Sequence, residues 1–268
     1  MKSSKLIKEA SLAAVILLLM MFCGINTAAA KNTADTADKW QYEFTIYGWL
    51  PSLDGTIKYD VPPGSGSNVS LDVSDLLDSL NFVFMGTFVA QKNKLSYAVD
   101  LIYMDVSNSK STDITVGPGQ GVPLGVHAGL GLKTWVVTGH VGYDVMQTDK
   151  ARMAVLGGVR YLDLSADLDY TIGAQPTNYL SGSEDFWDFI VGIKGSIMLN
   201  EKWYIPYYAD IGTGDSEMTW QLYAGIGYKF SWGDIRLAYR YLEYDQDDDK
   251  LLQDLKLYGP QLGIGFRF

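Results

Sequence analysis

The C-terminal segment, residues 256–268, constrains the fold of this chain more than any other stretch. Its even-numbered positions form a largely apolar face: Tyr258, Pro260, Leu262, Ile264, Phe266 and Phe268. Its odd-numbered positions are mostly small or polar: Leu257, Gly259, Gln261, Gly263, Gly265 and Arg267. Successive side chains of a strand point to opposite faces, so this alternation predicts a β-strand with one apolar side.

The same alternation recurs along the chain and predicts an all-β fold. We predict about ten strands, near residues 41–49, 81–91, 94–106, 131–147, 151–163, 185–199, 202–213, 217–230, 234–245 and 256–268. Aromatic residues mark the ends of the apolar faces, and glycines and isolated charges occupy the other faces, as in transmembrane antiparallel β-barrels. Eight or twelve strands stay open, because residues 55–60 and 112–116 can form extra short strands. A soluble lipocalin-type barrel, the main structural alternative, would turn its larger apolar side chains inward.

The predicted connections alternate between short and long. Polar residues at 92–94, 148–150, 200–202 and 231–233 are typical of hairpin turns. The longer or more acidic segments 50–80, 107–131, 164–185 and 245–255 are expected to be loops. Short periplasmic turns and longer outer loops are usual in outer-membrane barrels, and an even strand number puts both termini on the periplasmic side.

The N-terminus has the pattern of a secretory signal. Lysines at positions 2, 5 and 8 precede an apolar run over residues 12–22, and small residues follow up to Ala30. We therefore predict a signal peptide over residues 1–30, cleaved near Ala30, and a barrel domain over residues 31–268. A membrane anchor is disfavoured because a spanning helix needs about 20 apolar residues. Lipidation at Cys23 is disfavoured by the bulky residues before it.

Composition narrows the classes of function. The formal net charge is −10, which argues against nucleic-acid binding, since that requires a basic surface. The single cysteine, Cys23, belongs to the predicted signal, so the mature chain would have no disulfide or thiol chemistry.

Several motifs resemble those of a broad set of poorly characterised bacterial outer-membrane barrel proteins. They lie at residues 48–55, 74–78, 100–105, 158–162, 210–212 and 239–242 and at the Gly259-Pro260 terminus. The resemblance implies the fold and the location, but no substrate and no catalytic residue. The terminal strand ending in Phe268 is similar to the segment that the barrel assembly machinery reads. The partners implied are therefore that machinery, outer-membrane lipid and lipopolysaccharide.

The polar faces of the predicted strands supply the candidate site. We predict that twelve residues line the lumen: Glu43, Asp100, His140, Asp144, Arg160, Asp188, Lys194, Asp210, Lys229, Arg236, Arg240 and Arg267. Three lipid-facing arginines would each cost about 2–4 kcal/mol at the midplane, so Arg160, Arg236 and Arg240 are expected inside, paired with Asp188, Asp210 or Asp100. Arg240→Glu is expected to leave the barrel folded and Tyr239→Arg to impair folding more.

No motif in the chain predicts catalysis, a metal site or a cofactor. Neither His127 nor His140 is adjacent to a serine, so no nucleophile–base pair is evident. The acidic run around Asp247 lacks the ligand spacing and turn glycine of a calcium loop and is expected to be a solvated outer loop. Residues 74–80 form one amphipathic helix-like piece, which would lie in the barrel mouth, on its rim or in a surface turn.

The predicted function is a porin-like or small-solute channel without catalytic activity. A barrel of eight strands is filled by side chains, whereas 16–18 strands leave a channel, so ten strands favour a small channel or a filled barrel. The alternatives are a closed structural or adhesion barrel and, less favoured, a lipid-modifying outer-membrane enzyme.

Overall fold

The computed structural model describes residues 39–58, 66–71, 80–116, 122–172, 177–246 and 252–268. The predicted signal segment and most of the helix-like piece lie outside the described residues, as do residues 247–249 of the acidic run. No helix within the described residues is long and apolar enough to cross a membrane.

The described chain consists of β-strands. They are β1 (Gln41–Trp49), β2 (Ser52–Lys58), β3 (Gly66–Leu71), β4 (Leu80–Lys92), β5 (Leu95–Val116), β6 (Val122–Gln147), β7 (Ala151–Ile172), β8 (Asn178–Met198), β9 (Trp203–Gly214), β10 (Met218–Lys229), β11 (Gly233–Asp245) and β12 (Leu252–Arg267). From β4 to β12 each strand pairs antiparallel with the next, and β1 pairs with both β4 and β12. The sheet therefore closes into an antiparallel barrel of ten strands, as predicted.

Strands β5 to β8 are the strands that extend furthest beyond the prediction, and the two long loops predicted between them are wrong. Strands β5 and β6 stay paired as far as Val116 and Val122, and β7 and β8 stay paired as far as Tyr170 and Asn178. Most of residues 107–131 and 164–185 is therefore strand. Residues 107–113 are polar and lack the apolar alternation, so backbone pairing, which any residue type supports, defines them. Residues 122–131 and 164–172 do keep the alternation, and Leu164 and Ala166 are buried, so the prediction of loops there is wrong despite a strand-like pattern.

The other two strands extend the sheet beyond the ring. Strand β2 pairs with the start of β12, and β3 pairs with β2. They occupy part of the predicted loop 50–80, in which the sequence leaves an extra short strand open at residues 55–60. They follow β1 directly and lie at the same end of the barrel as the extensions of β5–β8.

The two ends of the barrel differ. The turn end carries the four short connections between β4 and β5, β6 and β7, β8 and β9, and β10 and β11. Asn93 takes a left-handed conformation with φ of 54° in the first of them, as asparagine tolerates better than most residues. Tyr42 and Phe268 meet at this end and exchange backbone hydrogen bonds of 2.9 and 3.0 Å. The opposite end is called the loop end.

Two aromatic girdles encircle the exterior. At the loop end, the Tyr103 and Trp135 rings lie 4.3 Å apart, and the Tyr161 and Trp187 rings 4.6 Å apart. At the turn end, rings are paired between Trp203 and Tyr228, Phe230 and Trp232, Trp232 and Phe266, and Tyr42 and Phe268. The outward residues between the girdles are largely aliphatic and exposed, such as Val191 (62%) and Leu237 (56%).

The distance between the girdles matches a bilayer. Trp135 and Tyr143, Trp220 and Tyr228, and Tyr258 and Phe266 are each eight residues apart along one strand. With a rise of ~3.3 Å per residue and a tilt of ~40°, the rings are separated by ~20 Å along the barrel axis. Apolar bands of membrane barrels are about 25 Å tall. Beyond the loop-end girdle, ion pairs such as Lys133–Asp105 (3.9 Å) appear on the outside.

Gly158 tests the packing between β6 and β7. A Cβ atom at Gly158 would lie 2.1 Å from the backbone oxygen of Gly139, whereas one at Gly139 would meet nothing within 4 Å. We expect Gly158→Ala to lower the free energy of unfolding by about 1–3 kcal/mol, because the backbone must shift. Gly139→Ala, the matched control, should stay within about 0.5 kcal/mol of the parent chain. Urea titration of the heat-modifiable gel band measures both, and equal stability of the two variants would contradict this packing.

Candidate functional site: the barrel interior

The interior is divided into three zones along the barrel axis. A polar layer at mid-height contains Tyr47, Asp100, Thr138, Arg160, Asp210, Gln221 and Arg240. An apolar plug lies on its loop-end side and includes Trp49, Ile102, Met104, Val136, Leu162, Leu164, Phe186, Leu242, Tyr244 and Leu257. A vestibule lies on its turn-end side and is lined by Glu43, His140, Asp144, Arg152, Lys194, Tyr208, Tyr223, Lys229, Asp234, Arg236 and Arg267. These positions follow the inward alternation of the strands.

Arg240 is the centre of one half of the polar layer. Its guanidinium donates hydrogen bonds to Asp100 Oδ2 (2.8 Å), Gln221 Oε1 (2.8 Å) and Tyr47 Oη (3.0 Å). Asp100 also accepts hydrogen bonds from Tyr47 (2.9 Å) and Thr87 (2.6 Å). Arg240 belongs to β11 and Asp100 to β5, which are not neighbours in the ring. This ion pair therefore crosses the interior of the barrel.

Arg160 organises the other half of the polar layer. It is fully buried and forms an ion pair with Asp210, two strands away. Its other nitrogens donate to Thr219 Oγ1 (2.9 Å) and Thr138 Oγ1 (3.4 Å), and Tyr208 donates to Asp210. A buried cation is stabilised only when it is paired and hydrogen-bonded, and Arg160 meets both conditions.

The apolar plug begins two residues from the polar layer on each contributing strand. Trp49 follows Tyr47, Ile102 follows Asp100, and Leu242 follows Arg240 towards the loop end. Trp49 donates from Nε1 to the backbone oxygen of Gly259 at 3.2 Å, and the Arg240 guanidinium lies 5.0 Å from its ring. Ile102, Val136, Leu162, Leu242 and Tyr244 each have 0% exposure. The side chains fill the barrel at this height.

A short connection folds into the loop end of the barrel. Ser216 follows β9 and is buried, and it donates to Asp188 from both its backbone nitrogen (2.9 Å) and its hydroxyl (2.8 Å). Gln246, at the end of β11, donates to the Ser216 hydroxyl. Asp188 therefore binds the connection between β9 and β10 rather than an arginine. This connection closes the interior next to Tyr244.

A network of alternating charges lies at the turn end of the vestibule. Arg236 forms ion pairs with Glu43 and Asp234, and Arg267 forms ion pairs with the same two carboxylates. Arg236 also donates to Tyr204 Oη at 2.9 Å. Because Glu43 is on β1, Asp234 on β11 and Arg267 on β12, the network ties together the strands that close the barrel.

The remaining vestibule residues lie on β6 to β10. Arg152 donates from Nε to both oxygens of Asp144, at 3.0 and 2.9 Å. Lys194 Nζ lies 3.1 Å from His140 Nε2, and His140 Nδ1 is buried without a hydrogen-bond partner among the described residues. Lys229 Nζ lies 3.1 Å from Met198 Sδ and 5.3 Å from the Tyr204 ring centre.

Exposure to solvent falls from the turn end towards the plug. The side chains of Arg267, Arg152 and Glu43 keep 42%, 32% and 21% exposure. In the polar layer Asp100 keeps 14% and Arg240 4%, and the plug is dry. The vestibule is therefore open to water at the turn end and closed at mid-height.

Of the twelve residues predicted from the sequence, four lie in the polar layer and seven in the vestibule, and Asp188 lies at the loop end against Ser216. Arg160 and Arg240 bind Asp210 and Asp100, whereas Arg236 binds Glu43 and Asp234, and Asp188 binds Ser216. A role for these residues in lining a water-filled path stays a prediction. Sequence reasoning missed Asp234 and Arg152, although each lies an even number of residues from a predicted inward position on its own strand.

The charged side chains of the interior can recognise charged groups. His140, the imidazole of the vestibule, contacts a lysine, and no hydroxyl nucleophile hydrogen-bonds it among the described residues. A nucleophile and its base must come within hydrogen-bond reach. The arrangement can therefore bind and orient charged groups, but the described residues do not form a nucleophile–base pair.

Arg240 and Asp100 form the pair whose energetic coupling is easiest to measure. We expect Arg240→Met alone to lower the free energy of unfolding by about 3–5 kcal/mol, because it leaves a carboxylate unpaired. Combining it with Asp100→Asn should cost less than the sum of the two single changes. Urea unfolding in lipid vesicles measures the free energy of unfolding of the parent chain, the two single variants and the double variant, which together form a double-mutant cycle. Additive losses of stability would contradict a direct interaction between Arg240 and Asp100. The same reasoning makes Arg240→Glu destabilising; that this variant still forms a folded barrel stays a prediction.

Comparison with known proteins identifies no family for this chain. No protein-family model matches it, and no curated protein matches it. The chain is similar in structure to the translocator domain of autotransporter NalP from Neisseria meningitidis, with 13% identity, a TM-score of 0.41 and coverage of 99% of this chain and 98% of that one. It is also similar to Ail, the attachment invasion locus protein of Yersinia pestis (11% identity, 86% and 99% coverage, TM-score 0.34), and to outer membrane protein OprG from Pseudomonas aeruginosa (12%, 87% and 97%, 0.31). These TM-scores are low, so the ten-stranded architecture rests on the strand pairing of the chain itself.

Proposed function

We propose that the protein is an outer-membrane β-barrel with a closed interior and no catalytic activity, which acts through the strands and loops at its loop end. The closed structural or adhesion barrel is thus favoured over the open channel. The single observation that carries this choice is the apolar plug. Several of its side chains have no exposure at all, and they lie next to a polar layer whose two arginines are each held by an ion pair.

The exterior supports the membrane location. An aliphatic belt of bilayer height lies between two aromatic girdles, as is typical of barrels in outer membranes. The arginines that the sequence places on the strands are inside and paired with carboxylates, so the belt presents little charge to lipid. In this orientation the turn end, with both barrel termini, faces the periplasm, and the extended strands β5–β8 face the outside.

A gated small-solute channel is the second candidate. The water-accessible vestibule supports it, because this zone is half of a path across the membrane. Completion of that path would require the plug to move. Most plug residues belong to paired strands of the closed ring, where backbone hydrogen bonds oppose such a movement.

Conductance in planar bilayers separates the two candidates. We expect the purified protein to produce no discrete steps, since the plug leaves no aqueous path. The variant with Trp49→Gly, Leu242→Gly and Tyr244→Gly, whose large plug side chains are removed, should conduct.

The matched control is Trp220→Gly, which removes a large aromatic from the outside of the barrel instead. This control should produce no conductance steps. A heat-modifiable gel band at the position of the parent chain should confirm that each variant is folded. Discrete steps from the unmodified protein would overturn the closed-barrel proposal in favour of a channel.

Phe268 gives a test of assembly into the outer membrane. Its side chain is 70% exposed and its ring lies 5.9 Å from that of Tyr42, so it is available for recognition while it completes the closing strand pair. We expect deletion of Phe268 to lower outer-membrane abundance and raise periplasmic degradation, whereas Phe268→Trp should preserve abundance. Cell fractionation followed by unboiled gels measures both. Unchanged abundance of the deletion variant would contradict a role in assembly, and recovery of the parent chain as a soluble periplasmic protein would contradict the location.

A further inference from the structure

The vestibule has more cations than carboxylates. Its lining contains five basic side chains (Arg152, Lys194, Lys229, Arg236, Arg267) and three acidic ones (Glu43, Asp144, Asp234), a surplus of 5 − 3 = 2. This surplus occurs in a chain whose formal net charge is −10. A solute anion that reaches the turn end therefore meets a locally positive cavity with low-dielectric walls, which strengthens its attraction.

The surplus positive charge of the vestibule is located on two lysines, Lys194 and Lys229. The carboxylates of Glu43 and Asp234 are shared between Arg236 and Arg267, and Asp144 is held by Arg152. Among the side chains that the structure describes, no carboxylate forms an ion pair with Lys194 or Lys229. Lys229 is near the mouth and faces an aromatic ring, whereas Lys194 lies deeper, against His140.

Lys194 and Arg152 lie side by side on neighbouring strands. The register of β7 and β8 pairs Ala154 with Lys194 and Arg152 with Ser196, so the two cationic side chains are diagonal neighbours on the inward face. Diagonal side chains of this kind are about 7–8 Å apart at their backbones, within reach of long side chains. Arg152 uses Nε for Asp144, and within the described part of the chain its two terminal nitrogens have no hydrogen-bond partner.

The space around Lys194 is provided by glycine. A Cβ atom at Gly142 would lie 3.0 Å from Lys194 Cε, so a larger residue there would displace the lysine. Lys194 donates one hydrogen to His140 Nε2, which leaves two donors free. Two adjacent cations with free donors, in a cavity open to water, match the geometry that binds an oxyanion, with arginine as a planar fork and lysine as a point charge.

We propose that Lys194 and Arg152 form a binding site for a small oxyanion, a free phosphate or carboxylate group that enters the vestibule from the turn end. The anion would neutralise the surplus charge of the vestibule. This site goes beyond the proposed function and does not depend on whether the plug is closed, because the ligand needs only the turn-end opening.

The chain supplies its own reporter for this site. It contains two histidines, His127 and His140. His140 contacts Lys194, whereas His127 lies thirteen residues away on β6, or ~43 Å along the strand. In the ¹⁵N NMR spectrum of histidine-labelled protein, in a detergent without phosphate groups, inorganic phosphate at constant ionic strength should shift the His140 signal in a saturable way. The His127 signal should stay in place.

Three variants test the assignment. Lys194→Met should weaken the response of His140 to phosphate about tenfold or more, because a charge-assisted hydrogen bond is lost. Arg152→Met should also weaken it. Lys229→Met, the control that removes an equal charge near the mouth, should leave the response within about twofold. Each variant must first show the heat-modifiable band of a folded barrel.

Several results would overturn the site. One is a His140 signal that phosphate does not move. Another is a shift of both histidines together without saturation, which would indicate a general salt effect. A third is equal loss of the response in Lys194→Met and Lys229→Met, which would indicate bulk attraction rather than a site. None of these results bears on conductance, so failure of this proposal is distinguishable from failure of the closed barrel.

Discussion

The pairing of charges across the interior is the interaction on which the rest of the barrel depends. Inside the closed ring of ten strands, Arg160 and Arg240 are shielded from bulk water. In the proposed location, lipid surrounds the ring. Each arginine is therefore held by a carboxylate on a strand that is not its neighbour. Such a pair is stable only with its remaining donors satisfied, which the threonines, Tyr47 and Gln221 do. These pairs also fix which strands face each other.

The polar layer divides the interior into two unequal compartments. On one side, apolar residues two positions along each strand meet at the axis and exclude water. On the other side, long basic side chains such as Arg152 and Arg267 stay partly exposed to water. A barrel built this way is filled by side chains towards its loop end and can bind a solute towards its turn end. The same ten strands would thus support stable strands and loops at the loop end and an anion site that is reached from the turn end.

The long strands β5–β8 connect this interior to the outside. They continue as paired strands well past the loop-end girdle, into segments in which Ser, Gly and Asp are interspersed with apolar residues. Leu132, Leu164 and Ala166, at the base of these extensions, are buried in the plug. The outer sheet and the plug are therefore one continuous structure, which is a physical reason for the plug to resist displacement.

The sequence by itself determined the strands, their inward and outward faces and the number in the ring, because alternation with period two is a local property of neighbouring residues. It also indicated that charges on the glycine face would be kept from lipid. It did not determine that residues 107–116 continue as a strand, since their largely polar side chains carry no apolar alternation and inter-strand hydrogen bonds hold them. Residues 164–172 do alternate, so the sequence carried a strand signal there that the loop prediction missed. Nor did it determine which arginine meets which carboxylate, as the Arg236 and Asp188 partners illustrate. Those choices depend on the register and closure of the ring, which bring residues far apart in the chain to the same height, and only the tertiary structure decides them.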